Sequence, residues 1–141
     1  LKKYKIKGKS IFDVWKMTLD EAVQFFEDID KSITKVCITA SEIMLGHLQI
    51  GQATTTLSGG ENIRIKIMKA SKSTAKVIGV DEPFKGLSNV EIDAVANYLN
   101  RIREKGKTLV IIDHSMGVEE YFSQWIQIEK VNDVLSGKRL K

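Results

Sequence analysis

Three clusters of residues in this chain have types and spacings that suit phosphate chemistry. The first is Thr56-Leu57-Ser58-Gly59-Gly60-Glu61. Its two adjacent glycines leave the backbone free of Cβ crowding, so an anion can approach the N–H groups closely. Ser58 followed three residues later by Glu61 is a capping-box pattern, which starts a helix there. A helix N-terminus gathers unpaired N–H groups and the positive end of the peptide dipole, and both favour phosphate. The second cluster is Asp81-Glu82-Pro83, which closes the apolar run Val77-Ile78-Gly79-Val80. The third is His114, which follows the apolar run Thr108-Leu109-Val110-Ile111-Ile112 and Asp113. A carboxylate at a strand end suits Mg²⁺, which takes one or two carboxylates and keeps several waters, so Asp81 is the candidate ligand. Glu82 beside it can polarise a water as general base, its basicity adjusted by the neighbouring charge. His114 can hydrogen-bond a γ-phosphate and that water. Singly, these are a capped helix, a strand-ending turn and a surface histidine. Together and in this order they carry the parts that phosphoryl transfer needs.

The elements that must hold these residues are legible in the patterning. Tyr4-Lys5-Ile6-Lys7 alternates as a short strand turned at Gly8. Ser10 caps a brief helix through Ile11, Val14 and Trp15, and Thr18 with Glu21 opens a second with Ala22, Phe25 and Phe26 on its apolar side. Asp30 caps a third, with Ile33, Val36, Cys37, Ala40 and Met44 at helical spacing and Gly46 just past its end. The stretch Asn62–Met68 is ambiguous, because Ile63, Ile65 and Ile67 alternate while Ile63, Ile67 and Ala70 form a helical stripe. The cap at Ser58 favours helix. Val77–Val80 is nearly continuous in its apolarity, as for a strand covered on both faces. Ser88 with Glu91 starts a helix striped by Ile92, Val95, Ala96, Leu99 and Ile102, which Gly106 ends. Thr108–Ile112 is a second buried strand. Strand, helix, strand is a βαβ unit with parallel pairing and a right-handed crossover. Ligands collect at the carboxyl ends of such strands, where Asp81, Glu82 and His114 fall. A further helix over Val118–Phe122 and a strand from Trp125-Ile126 to Ile128 complete the pattern. The prediction is a helical unit over 1–75, ending in the Ser58-capped helix, and an α/β unit over 76–141.

The 141 residues amount to one domain with apolar content for a real core. Net charge is +4, drawn partly from Lys2, Lys3, Lys5, Lys7 and Lys9, a cluster that reads as a solvated terminus or a nucleic-acid contact. Cys37 is the only cysteine, so the chain builds no disulfide and no cysteine-based zinc site, and a reducing, cytoplasmic setting is the default. Its apolar neighbours indicate a small buried side chain. His47 lies outside the three clusters and reads as structural. No apolar run reaches transmembrane length, and the chain begins at Leu as a piece cut from something longer would.

Leu57-Ser58-Gly59-Gly60-Glu61, then a strand ending in Asp81-Glu82, then a strand ending before His114, resembles the second half of an ATP-binding-cassette (ABC) ATPase. Its signature motif, Walker B strand and switch histidine appear in that order. The run Leu45-Gly46-His47-Leu48-Gln49-Ile50-Gly51-Gln52 leading into the signature, and Ile63-Arg64-Ile65-Lys66 after it, narrow the resemblance to the UvrA family of nucleotide excision repair, specifically its second cassette. Lys7–Val14 and Met17–Ala22 with Phe25-Phe26 are similar to the stretch that follows the zinc module there, so the resemblance runs from about Tyr4 to Trp125. It implies a partial P-loop NTPase fold and the carboxyl-terminal part of a cassette. It implies ATP and Mg²⁺ as ligands, with Asp81 on the metal and Glu82 and His114 in catalysis. Leu57, Ser58, Gly59, Gly60, Glu61 and Ser88 would face nucleotide. DNA, and a second cassette or subunit that supplies Walker A, are the implied partners; no membrane is implied.

The departures are specific. No G-x-x-x-x-G-K-[ST] loop, glutamine loop or four-cysteine zinc module is present, and in the family these lie upstream. Ser88 stands where the family's D-loop has histidine, Phe84-Lys85 replaces a threonine pair, and Gly79 interrupts the Walker B strand. A DNA-associated cassette of the SMC type, and a cassette that has given up hydrolysis to serve as an interaction or resistance module, are the competing readings. The first should show coiled-coil heptads before the signature, and the second should have lost Glu82.

Overall fold

A computed structural model describes residues 4–131 and 134–139. Lys2 and Lys3 of the lysine cluster lie outside the described residues. Strands β1 (Lys5–Ile6) and β2 (Lys9–Ser10) form a hairpin whose two turn residues, Lys7 and Gly8, have φ of 48° and 76°. Two left-handed residues match the twist of the flanking strands. Helices α1 (Ile11–Trp15), α2 (Leu19–Phe26) and α3 (Lys31–Glu42) start where their caps predict, at Ser10, Thr18 and Asp30. The Glu21 N–H donates to Thr18 Oγ1 at 3.1 Å while the Thr18 N–H donates to Glu21 Oε2 at 2.9 Å. Cys37 is buried on α3, and burial pushes its thiol pKa up.

The exit from α3 differs from expectation. Met44, not Gly46, takes the left-handed conformation, with φ of 62°. The Met44 N–H donates to the Ser41 carbonyl at 3.0 Å and the Leu45 N–H to the Ala40 carbonyl at 2.9 Å, the Schellman arrangement. Gly46 is needed for another reason, since a Cβ there would run into the Asp20 carboxylate. The whole stretch 45–52 is laid along the start of α2. Leu19 donates to the Leu48 carbonyl at 2.8 Å, Ile50 to Met17 at 2.9 Å and Gly51 to Trp15 at 2.9 Å. The Trp15 indole closes over Gly51 where a side chain would otherwise stand.

A short 3₁₀ turn, Thr54–Thr56, leads into α4 (Gly59–Ser71). The isoleucine ambiguity therefore resolves as helix, with Ile67 buried and Ile63 and Ile65 partly buried against the core. Strand β3 (Val77–Asp81), helix α5 (Asn89–Glu104) and strand β4 (Thr108–Ile112) form the expected unit, paired parallel from Val77 opposite Thr108 to Asp81 opposite Ile112. Val95, Ala96 and Leu99 of α5 are wholly buried, and they share one core with Ile78 and Val80 of β3, Ile67 of α4, and Ala40, Ile43, Leu45 and Leu48 from the first half. The helical half and the sheet half are thus joined through apolar contact.

Coverage of the sheet on both faces does not hold. Ile78 and Val80 face the helices, but the opposite face leaves Val77 61%, Val110 54% and Ile112 57% exposed, with Gly79 among them. Among the described residues, the helices cover one face of the two strands only. The segment Val118–Tyr121 is a 3₁₀ turn rather than an α-helix, entered through Gly117 at φ 83°. Strand β5 (Ile126–Val131) pairs antiparallel with a strand the sequence pattern did not suggest, β6 (Val134–Arg139). Among the described residues no helix is long and apolar enough to cross a membrane.

Two glycine substitutions separate close approach from mere flexibility. Gly51→Ala forces its methyl into the Trp15 indole and should cost about 1–3 kcal/mol of unfolding free energy. Gly79→Ala has open space around it and should match or exceed the parent. Urea titration followed by circular dichroism reads both; equal midpoints for Gly51→Ala and the parent would mean that the indole seat yields.

Candidate functional site

The candidate site is built at two strand ends and two helix starts. The parallel register puts Asp81 opposite Ile112, so Glu82 and Asp113 leave the sheet side by side. Glu82 adopts a left-handed backbone with φ of 50°, uncommon for a residue with a side chain. Its N–H is pinned to the Ile112 carbonyl at 2.7 Å, extending the ladder one step past the strand. Pro83 and Phe84 then turn down into the core, both almost fully buried, with the Phe84 ring 6.2 Å from that of Phe122. Phe84 occupies the first position of the expected threonine pair, and its packing anchors the turn.

Asp113, which the sequence reading passed over, ties the two strand ends together. Its Oδ2 accepts from the Phe84 N–H at 3.0 Å and its Oδ1 from the Ser115 N–H at 2.7 Å. It therefore fixes the turn carrying Glu82 against the loop carrying His114. The available signal was its place between an apolar strand and a histidine, where a carboxylate can reach backbone donors on both sides. Asp81 and His114 are exposed. The Glu82 carboxylate is met by Lys85 Nζ at 2.6 Å, a hydrogen bond and charge that hold the Lys85 ammonium above its ordinary pKa. A cleft of about 340 Å³ follows β4 and is lined by Thr108, Leu109, Ile111, Asp113, Phe122 and Trp125; Asp81, Glu82 and His114 stand outside it.

At the start of α4, the Ser58 N–H donates to Glu61 Oε2 at 2.7 Å and the Glu61 N–H donates to Ser58 Oγ at 3.1 Å. The other Glu61 oxygen meets His47 Nε2 at 2.8 Å. The Ser58 N–H and then the His47 contact hold the Glu61 carboxyl below the usual glutamate range. His47 is thus a tie between the stretch 45–52 and the signature loop. Leu57 packs against the core, while Ser58 and Gly59 are exposed with nothing within 4 Å of the place a Gly59 Cβ would take. Gly60 lies against Arg64 and the Lys85 carbonyl, which brings the signature loop beside the turn that follows β3. At α5 the Glu91 carboxylate accepts from both the N–H and the Oγ–H of Ser88, each at 2.8 Å, and these bonds hold Glu91 below the usual range. Among the described residues no hydrogen bond joins Ser58 or Gly59 to Asp81, Glu82 or His114.

The donor set suits magnesium better than zinc. Among the described residues no group of three histidine, cysteine or acidic side chains is placed to hold a metal. A single exposed strand-end carboxylate, Asp81, is what an ion needs when water and phosphate supply its other ligands.

No protein-family profile matches the chain. Over 117 residues it is 42% identical to the UvrABC system protein A of Rickettsia bellii, covering 81% of this chain and 12% of that protein. Over 115 residues it is 44% identical to the protein of the same name from Staphylococcus aureus, covering 79% of this chain and 12% of that one. The solved structure of UvrA2 from Deinococcus radiodurans superposes with a TM-score of 0.79 at 32% identity, covering 90% of this chain and 16% of that chain. A solved SMC ATPase reaches a TM-score of 0.52 at 15% identity, covering 66% of this chain and 62% of that chain, a likeness of fold alone. The fold is that of an ABC ATPase, a P-loop NTPase of the α/β class, present here in part. Within that class the chain belongs to the UvrA family, and it spans about an eighth of the length of the UvrA relatives it matches.

The capping carboxylates set an acid limit on stability. Asp13, Asp30, Glu61 and Glu91 are all held below their ordinary pKa by hydrogen bonds from the residues they cap. A depressed folded pKa means stabilisation fully present above the unfolded carboxylate range and lost as pH falls through the folded values. Urea midpoints should therefore hold level from neutral pH to about 4.5, the reference glutamate value, and fall below it. Glu61→Gln and Glu91→Gln should each flatten that acid limb; an unaltered limb would remove the caps as its cause.

Proposed function

We propose that this chain is the carboxyl-terminal part of the second nucleotide-binding cassette of a UvrA-type ATPase, which couples ATP binding and hydrolysis to DNA engagement in nucleotide excision repair. The observation that carries this reading is the pairing of Asp81-Glu82 with His114 at adjacent parallel strand ends, in a chain whose likeness to UvrA proteins covers about four fifths of its length. Asp81 would hold Mg²⁺, which would neutralise phosphate charge when bound with ATP. Glu82 accepts a proton from the attacking water, and His114 donates to the terminal phosphate. Asp113 keeps these two groups at a fixed separation through its bonds to Phe84 and Ser115.

Leu57, Ser58, Gly59, Gly60 and Glu61 present a helix N-terminus to nucleotide held elsewhere. The free N–H groups of α4 and the exposed Ser58 hydroxyl favour an anion at that end. The Walker A loop that faces this helix start is supplied by a second cassette or subunit. Ser88 caps α5 three residues after Lys85, whose carbonyl neighbours Gly60, and this supports assigning it to the same interface. DNA contact and the zinc module belong to the remainder of a UvrA-type protein, and the setting is the cytoplasm.

Calorimetry with ATP and Mg²⁺, on this chain alone and then mixed with a Walker A-bearing portion of a UvrA cassette, tests the reading. Binding should appear only in the mixture; tight binding by the chain alone, or none in either case, would overturn it. In the mixture Glu82→Gln should retain ATP binding while turnover drops roughly 10²-fold or more. Undiminished turnover would take Glu82 out of the role of base.

A further inference from the structure

Two charged side chains of the turn after β3 are bound to each other. Lys85 Nζ donates to Glu82 Oε2 at 2.6 Å, a hydrogen bond and an ion pair in one contact. The backbone sets this contact up. The Lys85 N–H donates to the Glu82 carbonyl at 3.3 Å and closes the turn between them, while Pro83 and Phe84 inside that turn are buried. The Lys85 carbonyl lies against Gly60 of the signature loop, and Gly86 follows at φ 74°. With both backbones fixed, only the two side chains have freedom left. Their bond draws the carboxylate back along its own turn.

That position bears on the role assigned to Glu82. A general base must offer a lone pair within hydrogen-bond reach of the attacking water. A lysine ammonium carries three donors and no acceptor, so it cannot relay the proton that the water gives up. While Lys85 holds Oε2, that oxygen is closed to water. Among the described residues Lys85 is the only hydrogen-bond partner of the Glu82 carboxylate, so it alone decides where the carboxylate rests. The hold is also adjustable. The Lys85 side chain is 69% exposed and that of Glu82 34%, which leaves the pair open to water and screening ions.

We propose that Lys85 is a positioning residue that keeps the Glu82 carboxylate off the attacking water and so acts as a salt-sensitive brake on turnover. The inference rests on the reading of Glu82 as the general base of an ATPase. The contact itself is a property of this chain alone, and it can be measured without nucleotide.

Lysine-ammonium NMR on this chain tests the contact, and ATP turnover in the mixture with a Walker A-bearing portion tests its consequence. The Lys85 ammonium should be ordered in the parent and should lose that order in Glu82→Gln and in high salt. Lys85→Met keeps the aliphatic stem and removes the charge. At saturating ATP it should raise kcat about two- to fivefold, the range that an exposed ion pair can hold, with KM for ATP unchanged. Lys85→Arg should keep the brake. The kcat ratio of Lys85→Met to the parent should fall toward unity as salt rises from ~0.05 to ~0.5 M. An equal or lower kcat in Lys85→Met, or a raised KM, would overturn the proposal and leave the ATPase reading standing. A Lys85 ammonium as mobile in the parent as in Glu82→Gln would overturn it whatever the rates. No turnover by the parent mixture or by Lys85→Met would defeat the ATPase reading, and the brake with it.

Discussion

The parallel pairing of β3 with β4 is the constraint on which the arrangement depends. Because Asp81 sits opposite Ile112, both strands finish at one level and release their chemistry-bearing residues side by side. A slip of one residue would turn Ile78 and Val80 out of the core and Val77 and Gly79 into it. The register is thus held by burial on the helix-covered face, where Val95, Ala96 and Leu99 of α5 admit no exposed alternative. Asp113 carries the register past the sheet, converting an alignment of strands into an alignment of loops.

Around this sheet the chain uses one local device repeatedly. Ser10, Thr18, Ser58 and Ser88 each precede a helix by one residue, and each is bonded to an acidic residue three positions on. Such caps are read from sequence easily because they depend on nothing beyond four consecutive residues. They explain why the starts of α1, α2, α4 and α5 were legible, and why the isoleucine run after Ser58 became helix despite its alternation. Helix ends depended on contacts far away in sequence and were less legible. Gly46 reads as a stop signal, yet its missing side chain serves the Asp20 carboxylate, and Met44 makes the turn instead.

The parts of the candidate site divide along the same line. Asp81, Glu82, His114 and the signature residues were visible as motifs, since each announces itself within a few positions. The ties made by Asp113 and His47 were not read from the sequence, because they join segments separated by 29 and 14 residues. The exposed side of the sheet was missed for a related reason. A continuous apolar run states that a strand prefers two covered faces, and says nothing about whether the same chain supplies both covers.

Rigidity is distributed unevenly between the backbone and the side chains of the two strand ends. The backbone of Glu82 is over-determined, by the bond to Ile112 on one side and by buried Pro83 and Phe84 on the other. Those constraints are what allow a glutamate to persist in a left-handed conformation. Its carboxylate has a much weaker hold, because Lys85 is exposed and exposed ion pairs contribute little against water and salt. The Glu82 side chain can therefore leave Lys85 without disturbing the turn that presents it. Phe84 and Lys85 thus act apart: the phenyl ring fixes the turn through the core, and the ammonium meets the carboxylate at the surface.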